Sequence, residues 1–349
     1  MRYIRNRAAG AALVLALTAG GLIWGFGLRD DGPAQVPADT CRGALAAEEA
    51  AAFFGGAELA FKGHTADWTG QATEYCAAWA HGERSEESEE LEKFEGVQLE
   101  LNIRPSAAHR ASGAAEDASA SPIGFGWNGS FSASGLTPGA AVLVDCAPLP
   151  GKGLLVMASA RQDVKELSDE QLLQLARFTT ESARRAAERF GCEGALGQRP
   201  SAVDRTRWTT RPAARATGTC RDVVGPRDVE RLGLTTVSEK PAGRALTEEC
   251  SLRGPERGEG HHVRLRAYYG PSAEQEKYLD GRYPGSVLGA VVRARSCGGA
   301  LDTAYYKFEE FPRPDAEKGV RSRVGGEDAQ RLLTAFAAAS GARHGCAVT

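Results

Sequence analysis

The sequence predicts an α+β fold built twice: two tandem copies of a helix-flanked, mostly antiparallel sheet, set after an N-terminal transmembrane helix. Three observations carry this. A four-cysteine frame occurs twice, and three of its four positions keep matching neighbours. Inside each frame, apolar runs, one of them with a clear period of two, lie at hairpin distance from one another. Each frame closes on a long amphipathic helix that stops at glycine just before the last cysteine.

The first frame is Cys41, Cys76, Cys146 and Cys192; the second is Cys220, Cys250, Cys297 and Cys346. Thr40-Cys41-Arg42 matches Thr219-Cys220-Arg221, Thr73-Glu74-Tyr75-Cys76 matches Thr247-Glu248-Glu249-Cys250, and Arg189-Phe190-Gly191-Cys192 matches Arg343-His344-Gly345-Cys346. After the first cysteine, residues 45–54 are Ala-rich with one apolar face and meet Gly55-Gly56, a helix stop. The second copy offers residues 223–232, with Pro226 suited to a first helical position and Gly233 as the stop. A strand through the second cysteine follows in each copy, Tyr75 to Trp79 in the first. Next come the alternating strands 97–103 and 263–268, half-buried by their pattern. Both run into Pro-Ser-Ala, at 105–107 and 271–273, where a short helix is expected with Ser as its N-cap. The third cysteine ends an apolar strand (141–146 and 290–297), and a hairpin partner follows (153–158 and 301–308). Ser168-Asp169-Glu170-Gln171 is a capping box. Leu172, Leu175, Ala176, Thr179, Ala183, Ala186 and Phe190 then share one helical face. The second closing helix is 327–344. Antiparallel strands with two longer helices over their apolar face make an α+β layer.

The N-terminus sets the compartment. Arg2, Arg5 and Arg7 precede residues 8–28, which carry no charge, and about 20 apolar residues span a bilayer core. The arginine bias places the N-terminus in the cytoplasm. The competing reading is a cleaved signal peptide; both export the remainder. The chain therefore divides into a cytoplasmic tail (1–7), a transmembrane signal anchor (8–28), a tether (29–39), a first α+β repeat (40–194), a linker (195–218) and a second α+β repeat (219–349). Each copy is long enough to bury its own core. Trp208 is placed to pin the linker to one of them.

With 349 residues and a net charge of −3, the chain lacks the basic character of a nucleic-acid binder. Its eight cysteines include no C-x-x-C pair, and an exported chain with evenly divided cysteines uses them as structural disulfides. Four cysteines allow three pairings per copy.

The cysteine before a first helix that stops at Gly (Cys41 with Gly55, Cys220 with Gly233), together with the later strand cysteine (Cys76-Ala77-Ala78-Trp79, and Cys250), resembles the DUF3558-like actinobacterial exported envelope proteins. That resemblance implies a PsbP/Mog1p-like fold at the cell envelope, here duplicated, and carries no chemistry. The chain departs from the pattern in having no lipobox, no counterpart of Trp79 after Cys250, and two further cysteines per copy. The likeness implies Cys41–Cys76 and Cys220–Cys250 bridges, leaving Cys146–Cys192 and Cys297–Cys346; the main rival joins the first and last cysteines of each copy.

No hydrolase, P-loop or zinc-protease motif is present. His261-His262 is the most metal-like pair, but strand neighbours point to opposite faces, so it reads as a solvated turn. No catalytic residue, metal site or cofactor is assigned. The acidic run 83–95 reads as a solvated hairpin tip. The stretch 119–139, found in the first copy alone, carries Phe125, Trp127, Asn128 and Phe131 among glycines, as a ligand-contacting loop or a packed insertion. Residues shared between copies are structural, which favours a binding or interaction module. Its partners would be the cell membrane, through residues 8–28, and an envelope protein or cell-wall ligand. The alternatives are an envelope hydrolase with a site between the two copies, or a sensor working through a partner.

Overall fold

Glycine stops and one serine cap fix the helices. The computed structural model describes residues 40–67, 72–80, 97–107, 120–133, 138–161, 167–205, 208–254, 262–282, 291–311 and 324–346. The expected anchor and tether, the acidic run 83–95 and His261 lie outside them. Helix α1 (Ala47–Phe53) gives out at Gly55 and Gly56, whose φ values are 69° and 84°. Helix α2 (Asp169–Phe190) starts on Ser168, whose hydroxyl accepts from the Gln171 amide at 3.1 Å while the Gln171 side chain accepts from the Ser168 amide at 3.1 Å. This is the expected capping box. Gly191, at φ 65°, ends α2 in the left-handed region. In the second copy α3 (Pro226–Leu232) stops at Gly233 and α5 (Gly326–His344) at Gly345.

The strands of the first copy are β1 (Leu59–Asp67), β2 (Ala72–Ala80), β3 (Gln98–Pro105), β4 (Ser121–Pro122), β5 (Gly129–Ser132), β6 (Gly139–Asp145) and β7 (Gly153–Arg161). They form one sheet in the order β1-β2-β3-β7-β6-β5-β4. The second sheet holds β8 (Thr209–Pro212), β9 (Thr236–Glu239), β10 (Thr247–Arg253), β11 (His262–Tyr269), β12 (Val291–Ser296) and β13 (Thr303–Phe311), in the order β12-β13-β11-β10-β9-β8. Every described pairing is antiparallel. The run β1-β2-β3-β7-β6 repeats as β9-β10-β11-β13-β12, so the duplication seen in the cysteines is also a duplication of topology. The first copy extends it past β6 with β5 and β4; the second extends it past β9 with β8.

Strands β1 and β9 and the edge strand β8 were not expected. An edge strand pairs on one side and need not alternate: β1 interrupts its apolar residues with Lys62, Gly63 and His64, and β8 ends in Pro212. The expected short helix forms in the second copy as α4 (Pro271–Arg282), with the Gly270 carbonyl accepting from the Ala273 and Glu274 amides. Ser272 thus lies inside the helix and is not its N-cap. In the first copy Ser106 and Ala107 make a turn, and the Ser106 hydroxyl donates to the Gly151 carbonyl at 2.9 Å.

The linker is not a bare tether. Its carbonyls are taken by arginines of α2: Arg184 donates to Gly197 at 2.9 Å and Arg177 to Pro200 at 2.9 Å. Arg199 pairs with the buried Glu49 at 2.8 Å. Further on, the chain joins the second sheet as β8, and the Lys240 ammonium stands 5.8 Å over the Trp208 ring.

One face of the first sheet, with Leu99, Leu101, Ile103, Val142 and Val156, packs under Leu172, Leu175, Phe178 and Ala183 of α2, all at most 1 % exposed. Each such Leu or Phe is worth ~1.5–3 kcal/mol of burial. The other face of β6 and β7 presents Ala141, Leu143, Leu155 and Met157, and these belong to the core of the second copy. Double-sided burial explains why β6 and β7 read as continuous apolar runs. The 3-10 turn Gly299–Leu301 closes onto them: the Ala300 amide donates to Asp145 Oδ1 at 2.6 Å, and a Cβ on Gly153 would stand 2.6 Å from that of Ala300. The two sheets thus share a core within one compact unit. In the second copy, Leu332, Leu333 and Phe336 of α5 cover Leu265 and Phe308 on one sheet face, while α4 covers Tyr268 and Tyr305 on the other.

The four bridges are Cys41–Cys76, Cys146–Cys192, Cys220–Cys250 and Cys297–Cys346. They are the pairings implied by the resemblance, and each stays within its copy.

Candidate functional site

The motifs shared by the two copies encode an ion pair as well as the bridges. The glutamate of T-E-x-C and the arginine of R-x-G-C meet in both. Arg189 reaches Glu74 at 2.5 Å and donates from Nη1 to the Cys41 carbonyl at 2.8 Å, tying in the first motif as well. Arg343 grips Glu248 from both Nε and Nη2. The glutamate side chains are 5 % and 1 % exposed. An acid and a base at fixed offsets from bonded cysteines, repeated in both copies, was the available signal for this pair.

Around Glu248 the second copy gathers serine, histidine and tyrosine. Tyr269 donates to Ser340 Oγ at 2.5 Å, and Ser340 donates to Glu248 at 2.9 Å. The His344 ring stacks on Tyr269 at 3.6 Å. These are the residue types of nucleophilic catalysis, but their arrangement is structural. His344 sets Nδ1 against the Ser340 carbonyl (3.0 Å) and Nε2 against the Ala245 carbonyl (2.8 Å), so neither nitrogen serves the serine hydroxyl. Ser340 is wholly buried. Burial, with Glu248 nearby, pushes the Tyr269 hydroxyl well above the usual tyrosine range, and it stays a donor.

A cleft of about 690 Å³ lies beside β8. It is lined by Asp204, Thr209 and Arg211, by the turn bearing Arg221, by the 239–244 segment, and by Arg343 at the end of α5. Its lining includes Glu239, 2 % exposed. Glu239 accepts from the Thr217 and Gly218 amides at 2.9 Å each and from the Cys220 amide at 3.2 Å, and it pairs with Arg211 at 3.2 Å. Its first-copy counterpart, in register opposite the second cysteine, is Gly63.

The first-copy insertion meets this cleft from behind. The Gly129 amide donates to the Arg244 carbonyl at 2.8 Å, and Gly243 is so close to Pro122 that a Cβ would stand 2.6 Å from its ring. The insertion does not form an aromatic surface. Trp127 (3 %) and Phe131 (2 %) are buried in the core. Trp127 Nε1 donates to the Gln198 carbonyl at 2.8 Å, and the Asn128 carbonyl accepts from the Leu143 amide at 2.8 Å. Phe125 remains on the surface at 37 %. Gly124 and Gly126, at φ 79° and 84°, bend the chain here. Of the four expected surface residues, Phe125 is exposed and Asn128 half-buried; the two buried rings make this a packed insertion.

Comparison with protein-family models, with curated proteins and with solved structures gives no match. The site must speak through its own chemistry.

His262 lies on β11 rather than in a solvated turn, with Nε2 2.5 Å from Ser251 Oγ. Among the described residues no group of three or more His, Cys, Asp or Glu is placed to hold a metal. Burial, and then Arg253, Arg264 and Arg266, lower its pKa to about 4. The unfolded chain, with an imidazole near 6.5, therefore takes up this proton first. The resulting stability is full above pH 6.5 and is lost as pH falls toward 4. After allowance for solvent screening the loss is about 1–2 kcal/mol. Urea unfolding of wild type and His262→Gln at pH 7 and pH 4.5 should show the gap between the two pH values shrinking in the variant. An unchanged gap would refute the assignment.

Proposed function

We propose that this chain is a single-pass envelope protein whose exported region, two disulfide-bonded α+β copies, is a binding module. Residues 8–28 hold it in the membrane with the N-terminus in the cytoplasm, as the arginine bias implies. The observation that supports this reading is the cysteine usage: all eight are bridged within their own copy, none is left as a thiol, and such bridges persist in oxidising compartments. The resemblance to exported envelope proteins points the same way. The hydrolase alternative needs a general base at the cleft. The buried carboxylate there, Glu239, is already committed to three amides and Arg211, which favours binding.

The test is topological. Alkaline phosphatase fused after residue 349 should be active in cells and lose activity when residues 8–28 are deleted. Equal activity with and without that segment, or thiols alkylated without prior reduction, would sink the reading.

A further inference from the structure

The cleft has a charge pattern that the fold does not require. The chain as a whole carries −3, yet the cleft is lined by five cations (Arg211, Arg221, Lys240, Arg244, Arg343) against two anions, Asp204 and Glu239. Two of the cations are structural: Arg343 holds Glu248, and Arg211 holds Glu239 and donates to the Thr217 hydroxyl. Arg221 is different. Its carboxylate partner is Asp222 at 3.6 Å, with side chains 59 % and 83 % exposed, and such a surface pair is worth about 0–1 kcal/mol. Arg244 spends Nε on the Arg343 carbonyl at 3.2 Å and is exposed.

The walls that carry these cations are fixed before any ligand arrives. The turn with Arg221 is pinned by the Cys220–Cys250 bridge and by the three amides on Glu239. The wall with Lys240 and Arg244 is held by Thr219 N donating to the Lys240 carbonyl at 3.0 Å and by Gly129 donating to that of Arg244 at 2.8 Å. A rigid cleft binds without a large ordering cost. Cations from two pinned segments, with the Thr209 and Thr217 hydroxyls also at the cleft, suit a group whose oxygens point in several directions.

We propose that this cleft binds a phosphate-bearing ligand through Arg221, Lys240 and Arg244. This deepens the binding-module reading and rests on it for the identity of the compartment, but the cleft can be tested apart from it. The first-copy insertion, by bracing the cleft wall, then has a binding role without its aromatic rings touching ligand.

The test is calorimetry on the full chain, oxidised and in a neutral detergent, with inorganic pyrophosphate and with citrate as probes. Pyrophosphate should bind more tightly than citrate, and its affinity should fall as sodium chloride rises. Arg221→Ala with Arg244→Ala should weaken it at least tenfold at an unchanged melting temperature, and Arg221→Lys with Arg244→Lys should restore part of the loss. Competition by phosphatidylglycerol vesicles would place the phosphate on a lipid headgroup; binding without competition would place it on a soluble or polymeric ligand. No binding of pyrophosphate at millimolar concentration, an alanine double variant as tight as wild type, or citrate as tight as pyrophosphate would each overturn the proposal. Failure here with a correct fusion result would leave the exported module without this site; success here with a failed fusion result would leave the site in another compartment.

Discussion

Arg343→Ala is expected to destabilise the protein by about 3–5 kcal/mol, the range for stranding a buried charge. Glu248 is 1 % exposed, and its oxygens are met by Arg343 and by the Ser340 hydroxyl. Removing the guanidinium leaves a carboxylate with one neutral donor, next to the Tyr269 hydroxyl chain. The sister substitution Arg189→Ala should cost less. Arg189 is 22 % exposed, and Arg42 also approaches Glu74, at 3.7 Å. Urea unfolding followed by circular dichroism should rank Arg343→Ala above Arg189→Ala. Replacing both Glu248 and Arg343 with methionine should recover much of the loss, since an apolar pair of similar volume avoids the stranded charge. Equal costs in the two copies, or a double variant no better than Arg343→Ala, would refute the assignment.

Cys220→Ser with Cys250→Ser is expected to cost ~3–4 kcal/mol from chain entropy, for a bridge spanning 30 residues. It should also do something the entropy does not cover. Cys220 donates its amide to Glu239, and Arg221 follows it, so loosening this turn should weaken pyrophosphate binding as well. The Cys297–Cys346 bridge spans 49 residues and ends just past Gly345, the stop of α5. Its loss should cost a similar amount of stability, about 4 kcal/mol, with a smaller effect on the cleft. Melting curves and calorimetry on the two double-serine variants separate these outcomes. If both variants lose affinity equally, the local role given to the Cys220 turn is wrong.

Much of this fold could be read from the chain because its signals are local. Ser168 with Gln171 announces a cap three residues wide, and Gly191, Gly233 and Gly345 need only their own backbone freedom to stop a helix. Strands β3 and β11 show their buried face in every second residue. The edge strand β8 and its neighbour β9 gave no such sign. β9 is four residues long and received no assignment, and β8, which ends in proline, fell inside the expected linker. The aromatic insertion was left open between a ligand-contacting loop and a packed insertion for another reason. Phe125 and Trp127 stand two apart with positive-φ glycines on either side of Phe125, and composition does not say which ring turns inward. The cleft was hidden because its parts are distant in sequence. Glu239 is satisfied by amides about twenty residues earlier, and its wall is held by an amide more than a hundred residues away. Nothing in the neighbourhood of Arg221 or Arg244 marks either as part of a cavity. The Glu–Arg pairs were within reach, since both copies print them beside a cysteine.

The shared core has a consequence for how the protein is made. A chain is synthesised and begins to fold from its N-terminal end. Both bridges of the first copy fall within residues 41–192, so they can close early. The strip of Leu143, Leu155 and Met157 then waits, on a finished sheet, for a cover that comes from residues 299–301 and their surroundings. Until then the first copy exposes this apolar strip, and the second copy is what covers it. A product cut short after residue 194 would carry that apolar strip without its cover.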